Sequence, residues 1–336
     1  MQSRAVNTPD PDRGPLAWLS GVVAAPLTPF DAKGRLRSEE FADYAVHLVR
    51  AGVSGLAVGA HTGRGGLLAP QAHADLIRVA RATGVPVVAT VCLPDGARPG
   101  SRTEVERVLL ERADAAPAAG ASAVLCVPPP AALDPDPAWV ARLHELIAEA
   151  TGLPVLAFLL YEAAAGNVRY GTDHLAALSG VPGVTGVKIA TLDDAVAAQD
   201  AIIWLRRNAP RLAVLTGEDR MFGPSLMWGA TGALVGIAAA RAHLSVDLLR
   251  AWQEHRLADF VAASDRLDAF ARLTFTAPLH GYVQRLAWAA AHEGIMPPGL
   301  AHDPGATPDV LAEREVFLAG LAGPGDVAPV AAAPSW

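Results

Sequence analysis

Short apolar runs recur along the chain, each followed by a polar or glycine-bearing turn and then by an amphipathic stretch of helical period. The runs are Gly21–Leu27, Gly55–Gly59, Val85–Val91, Ala121–Val127, Pro154–Leu160, Val184–Ile189, Leu212–Thr216 and Gly232–Ile237, eight in all. They are almost continuously apolar, without the in–out alternation of a half-exposed strand, as strands covered on both faces require. Several follow a helix-stop glycine, as at Ala51-Gly52, Thr83-Gly84, Ala119-Gly120 and Thr151-Gly152. Eight β-α units in series predict an α/β fold of the closed (β/α)8 TIM-barrel type. An open doubly wound sheet is the second arrangement such a pattern allows. Its dinucleotide-binding form is disfavoured, because no Gly-x-Gly-x-x-Gly follows the first run.

From about Ala238 the pattern turns wholly helical. His243–Glu254, Ala258–Leu273 and Ala277–Glu293 carry period-3.6 apolar positions with no strand between them. The first is expected to close the barrel. The others form a small C-terminal helical appendage that Pro297-Pro298 ends. The expected organisation is a disordered lead over residues 1–15, a barrel over 16–240, C-terminal helices over 241–320 and a flexible tail over 321–336.

Composition narrows the function classes. With 51% hydrophobic residues and only 6% aromatic, a large core built from small aliphatic side chains is available. A net charge of −7, spread along the chain, does not make the basic patch of a nucleic-acid-binding surface. No apolar run reaches the roughly 18 residues of a membrane helix, and residues 1–15 lack the apolar core of a secretory signal. Cys92 and Cys126 are too few for a disulfide framework. A cytoplasmic protein without a membrane or nucleic-acid partner is expected.

One count changes the picture. Of 27 basic residues only Lys33 and Lys188 are lysine; the rest are arginine. Arginine keeps its proton at any usable pH, whereas a desolvated lysine can lose it. Lys188 ends the sixth apolar run, at the mouth where barrels place their chemistry. An amine walled there by apolar side chains has its charged form disfavoured, and the neutral amine attacks ketones. A lysine snorkelling out of a strand end is the plainer alternative. Thr191, with Asp194 three residues on, reads as the N-cap of the following helix.

Four stretches carry a resemblance. They are Ala25-Pro26-Leu27-Thr28-Pro29-Phe30, Gly59-Ala60-His61-Thr62-Gly63, Gly186-Val187-Lys188-Ile189-Ala190-Thr191, and Gly217-Glu218-Asp219 with Gly229-Ala230-Thr231-Gly232. In order and spacing, over roughly residues 20–291, they resemble the dihydrodipicolinate synthase / N-acetylneuraminate lyase family of class I aldolases. The resemblance implies a Schiff base between Lys188 and pyruvate or a related 2-keto acid. It implies carboxylate binding by Gly59, Thr62 and Gly63, and contacts from Gly217 and Glu218 to the substrate tail. It also implies a homo-oligomer and no metal or organic cofactor.

Departures from the family pattern fall at the acid–base positions. His61 and Arg64 stand where the family has a small hydroxyl residue and a glutamate. Arg64 suits an anionic substrate group or a surface ion pair. Phe158 stands where strand five should present a tyrosine, so the proton relay falls to Tyr161 or His61. Tyr161, three residues on, would point to the wrong face of a regular strand and would need a bulge. Ala163-Ala164-Ala165 and Pro128-Pro129-Pro130 occupy the stretches where the family's arginine and neighbour-supplied tyrosine belong. These changes favour a lyase, aldolase or dehydratase other than dihydrodipicolinate synthase itself. A barrel that has lost turnover and serves binding or regulation is the alternative. For Asp219, a helix N-terminal acid is the plainer reading. A metal-dependent aldolase lacks support: the ten histidines, among them His144, His174 and His255, are scattered with no His-Glu-x-x-His. Cys126, flanked by Val127 and three prolines, reads as a core thiol.

Overall fold

The structure, a computed structural model, describes residues 11–161, 166 and 168–322. Most of the lead and tail expected over residues 1–15 and 321–336, together with Glu162 and Ala163-Ala164-Ala165, lies outside the described residues.

Eight parallel strands close into a barrel in chain order. They are β1 Val22–Ala24, β2 Gly55–Val58, β3 Val87–Val91, β4 Ala123–Cys126, β5 Val155–Leu160, β6 Val184–Ala190, β7 Ala213–Thr216 and β8 Gly232–Val235. Each falls on one of the eight expected apolar runs, generally a little shorter. β6 alone runs past its expected end, to Ala190. Around the barrel lie α1 Ser38–Arg50, α2 Pro70–Arg81, α3 Arg102–Ala113, α4 Pro137–Thr151, α5 Thr172–Ser179, α6 Ala195–Asn208, α7 Phe222–Trp228 and α8 Ala242–Gln253. α1 shows how they dock: Phe41, Tyr44, Ala45 and Leu48 are buried at helical spacing along one face.

The alternation hidden in the apolar runs appears as two layers. Leu156, Phe158 and Leu160 of β5 pack with Val23, Ala57, Val88, Leu125, Leu215 and Leu234 inside the barrel. Ala157 and Leu159 of β5, like Val187 and Ile189 of β6, pack outward against the helices. Successive side chains of a strand point to opposite faces, so Lys188, between Val187 and Ile189, points into the barrel.

Beyond α8 the chain continues as α9 Leu257–Thr274, α10 Tyr282–His292, α11 Pro308–Ala312 and α12 Arg314–Leu321. Two expectations are corrected here. The third C-terminal helix starts at Tyr282, not near Ala277, because Ala277 precedes Pro278, which disfavours helix. Nor does Pro297-Pro298 end the helical region: the two short helices follow it, burying Val310, Phe317 and Leu321.

These C-terminal helices are tied to the barrel mouth by polar groups. Arg285 of α10, about 1% exposed, donates to the carbonyls of Thr274, Thr276 and Pro278 and to Glu313. Gln284 donates to the carbonyl of Ala301 and accepts from the amide of Asp303. Asp303, so held, takes both arms of the Arg64 guanidinium at 2.7 and 2.5 Å. Arg64 is therefore neither a free anion binder nor half of a surface pair. The Asp303 side chain is fully buried and that of Arg64 is 14% exposed. Removing one partner of such a pair leaves an uncompensated buried charge. Asp303→Ala is expected to lower unfolding stability by about 3 kcal/mol, read as a shift in the chemical denaturation midpoint, whereas Arg78→Ala at the exposed pair with Asp75 changes it little.

Candidate active site

Lys188 sits within β6, paired with Phe158 on β5 and Leu215 on β7. It is 5% exposed, and its Nζ lies 4.2 Å above the centre of the Phe158 ring. The walls around the amine differ from the expected ones. Val187 and Ile189 face the helices, and the amine is bounded instead by Phe158 and by Gly217 after β7. A methyl group added at Gly217 would lie 2.6 Å from Lys188 Cε and 3.0 Å from the Ala190 methyl. Gly217 is glycine because the lysine stem crosses over it.

Burial lowers the Lys188 pKa below the 10.5 of an exposed lysine, and the charges of Asp219 and Glu218 partly oppose that fall. Burial also raises the Asp219 carboxyl, while the Ile237 amide and the Lys188 charge work the other way. A buried amine and a buried carboxyl with converging proton affinities can exchange a proton at little cost. Asp219 Oδ1 accepts from the Ile237 amide at 2.7 Å, which fixes the carboxyl across the gap between β7 and β8. It lies three positions before Phe222, the first residue of α7, and is 6% exposed, so it is a buried acid of the barrel mouth and not a helix-end surface acid. No local pattern separates the two readings; its setting comes from the barrel's closure.

Glu218 does different work from the expected tail binding. Fully buried, it accepts from the Thr191 amide, the Thr191 hydroxyl at 2.8 Å and the Leu192 amide at 2.9 Å. Leu192 has a φ of 58°, a left-handed backbone that costs a branched residue about 1–3 kcal/mol. Bonds to a carboxylate, at about 1.5–3 kcal/mol each, offset that cost. Glu218 thus braces the loop that follows the lysine strand. Thr191 is not the N-cap of α6: Asp194 is, accepting from the Ala197 amide.

In the β2 loop, His61–Gly63 form a single 3-10 turn. The Gly63 amide bonds to the carbonyl of Ala60 and the Gly63 carbonyl accepts from Thr28, so its peptide groups are committed within the fold. Gly59 takes a φ of 70° and has no room for a Cβ against His73, a turn role. Thr62 and His61 face the mouth. His61 Nδ1 is 2.9 Å and Thr62 Oγ1 3.4 Å from the hydroxyl of Tyr282, the first residue of α10. Sequence reading missed Tyr282, since nothing in an amphipathic helix marks which polar residue caps a distant barrel. Tyr161 lies just beyond the end of β5 and packs with the inner cluster, its ring 6.1 Å from that of His61. It gets there because the strand has ended, not through a bulge; the one register shift of β5 lies at Val155/Leu156.

Burial and the charges of Arg64 and Lys188 push His61 down to about 4. Tyr161 is pushed up to about 12, chiefly by burial. Both are therefore neutral near pH 7. Cys126 is buried and its thiol is raised by desolvation, in keeping with a core position. Among the described residues no group of three or more His, Cys, Asp or Glu side chains is placed to hold a metal ion, and no helix is long and apolar enough to cross a membrane.

A barrel with a buried lysine and a neighbouring carboxyl is the apparatus of a class I aldolase. The sequence profile of the Dihydrodipicolinate synthetase family matches residues 18–308, and the chain belongs to that family. It is a carbon–carbon or carbon–oxygen lyase of the class I aldolase type, as the family's members are. A 4-hydroxy-tetrahydrodipicolinate synthase of Xylella fastidiosa is 30% identical over 284 residues, covering 80% of this chain and 85% of the relative. The fold is shared with YagE, a prophage protein of the same family from E. coli K12 solved in complex with pyruvate. It superposes with a TM-score of 0.73 at 21% identity, over 90% of this chain and 98% of that one. The N-acetylneuraminate lyase of Mycoplasma synoviae superposes at 0.70 with 17% identity, over 90% and 98%.

Two outcomes follow from this geometry. Asp219→Asn removes a charge that holds the Lys188 pKa up, so desolvation acts less opposed and the pKa falls further. The pH midpoint for reductive methylation of Lys188, followed by peptide mass mapping, is expected to move to lower pH; a shift upward contradicts the assignment. Gly217→Ala is expected to cost about 1–3 kcal/mol by overpacking, and to slow that methylation at Lys188 while leaving Lys33 unchanged.

Proposed function

We propose that the protein is a Schiff-base lyase acting on pyruvate or a related 2-keto acid, with Lys188 as its nucleophile. The observation that carries this reading is the single buried lysine on the inner face of β6, its amine over Phe158 and within reach of the Asp219 charge. Lys188 delivers its neutral amine to the keto carbon, water leaves, and the protonated imine draws electrons from the adjacent carbon–carbon or carbon–hydrogen bond. Asp219 takes the proton that frees the amine. Thr62 binds the keto-acid carboxylate through its main-chain N–H. His61 and Tyr161, facing each other across the mouth, are the groups that move protons at the reacting carbon.

The second carbonyl compound enters beside this site. A cavity of about 260 Å³ is lined by Leu192, Asp193, Arg220, Phe275 and Leu279, at the ends of β6 and β7 and under the turn into α10. Its charged rim suits a polar or anionic tail. Phe158, with no hydroxyl to offer beneath the imine, supports a reaction distinct from the synthesis named for the relatives.

Borohydride reduction in the presence of pyruvate tests the reading. Intact mass is expected to rise by one reduced pyruvyl group on the wild type, and not on Lys188→Ala. An unmodified wild-type chain across a panel of 2-keto acids would favour a binding barrel without turnover.

A further inference from the structure

His61 faces a difficulty as a base. Its burial and two neighbouring cations disfavour the imidazolium, so it cannot hold an extra proton at neutral pH on its own. The structure supplies a way round this. Tyr282 meets His61 Nδ1 on one side and Thr62 Oγ1 on the other. Beyond Thr62 lies Asp219. A methyl group added at Gly236 would stand 2.6 Å from Thr62 Oγ1, 3.7 Å from Asp219 Oδ1 and 3.7 Å from the Tyr282 ring. The three groups thus converge on one glycine.

We propose that His61, Tyr282, Thr62 and Asp219 form a proton relay for the Lys188 adduct, with Tyr282, from the chain's own C-terminal helix, as its central positioning link. The inference rests on the Schiff-base reading above and assigns its acid–base path. The C3–H bond of the iminium adduct breaks, and its electron pair forms the C2=C3 bond of the enamine while the C=N electrons return to nitrogen. The proton goes to His61 Nε2. At the same time Nδ1 gives its proton to the Tyr282 oxygen and Tyr282 gives its own to Thr62; no direct hydrogen bond joins Thr62 to Asp219, so Thr62 passes its own proton to the Asp219 carboxylate through one bridging water, which gives up a proton as it gains one. The keto-acid carboxylate stays negative throughout; the step cancels the positive charge of the iminium against the negative charge of Asp219.

Three features of the fold favour this path. His61 stays uncharged at both ends of the step. Burial keeps the Tyr282 phenol protonated, so it donates and accepts at once. Asp219 gains proton affinity at the moment the positive charge beside it disappears, because that charge is one of the influences holding its carboxyl down. Of the two acid–base candidates, His61 is also the one that feels the Lys188 charge; Tyr161 responds instead to Arg64, Asp219 and Asp193. Tyr282 itself is held in place by its stack on Phe275, ring centres 4.6 Å apart, and by Arg285 beneath the turn.

The test separates adduct formation from proton removal. Wild type and Tyr282→Phe are incubated with pyruvate in D₂O, and loss of the methyl proton signal is followed by NMR. Borohydride trapping is measured in parallel. Phenylalanine keeps the stack on Phe275, so the variant is expected to form the trapped adduct. Its methyl exchange is expected to fall by roughly 100-fold, the scale of a lost acid–base group, and Asp219→Asn to slow exchange as well. Exchange in Tyr282→Phe within about threefold of wild type, with the adduct formed, overturns the relay. The ¹⁵N signals of His61 in the free protein give a second reading that needs no substrate. They are expected to change in Tyr282→Phe, and unchanged signals would also overturn it. A wild type that traps no adduct fails the Schiff-base reading, a result distinct from either of these.

Discussion

The desolvated amine of Lys188 is the constraint around which the barrel mouth is organised. A lysine held on the inner face of a parallel strand loses most of its hydration, and the penalty falls on the charged form. The barrel answers with an aromatic face below the amine, the charges of two buried carboxyls within reach and a glycine under its stem. None of these restores full protonation. Desolvation brings the amine's pKa down toward neutrality, which raises the share of the neutral form that adds to a carbonyl.

Around that centre, residues that could have bound substrate are used to hold backbone. Glu218 fastens the loop after the lysine strand, Gly63 is committed through both its amide and its carbonyl, and Arg64 is clamped by Asp303. Thr62, His61, Tyr161 and Asp219 are the polar side chains left facing the mouth, three of them bonded to Tyr282 or to the Ile237 amide. Buried polar groups must find partners within the fold. A family motif therefore marks where the loop lies more securely than what each of its side chains contacts.

The C-terminal helices contribute to this organisation. Arg285 gathers the carbonyls of the α9–α10 turn, Gln284 sets Asp303, and Tyr282 reaches over the strand-two loop. Strand five offers Phe158 where a hydroxyl would serve, and the only tyrosine hydroxyl bonded to the His61–Thr62 pair, among the described residues, comes from outside the barrel. The helices read as an appendage in sequence are, in space, part of the site's upper wall.

What the sequence determined by itself was the order of elements and the lysine that stands as the candidate nucleophile. Eight apolar runs with glycine stops and helical stretches between them permit little besides a closed parallel barrel, and a lone lysine in the sixth run stands out against a chain of arginines. These are properties of local pattern and of single residues, so they are written in the linear order. The direction of each side chain was not. Runs apolar on both faces conceal their own period, so the inward pointing of Lys188 and the wall formed by Phe158 emerged only with strand register. The roles of Asp219, Arg64 and Tyr282 depend on partners separated by many residues: Ile237, Asp303 and His61. Such contacts are set by barrel closure and helix docking, which no local spacing encodes.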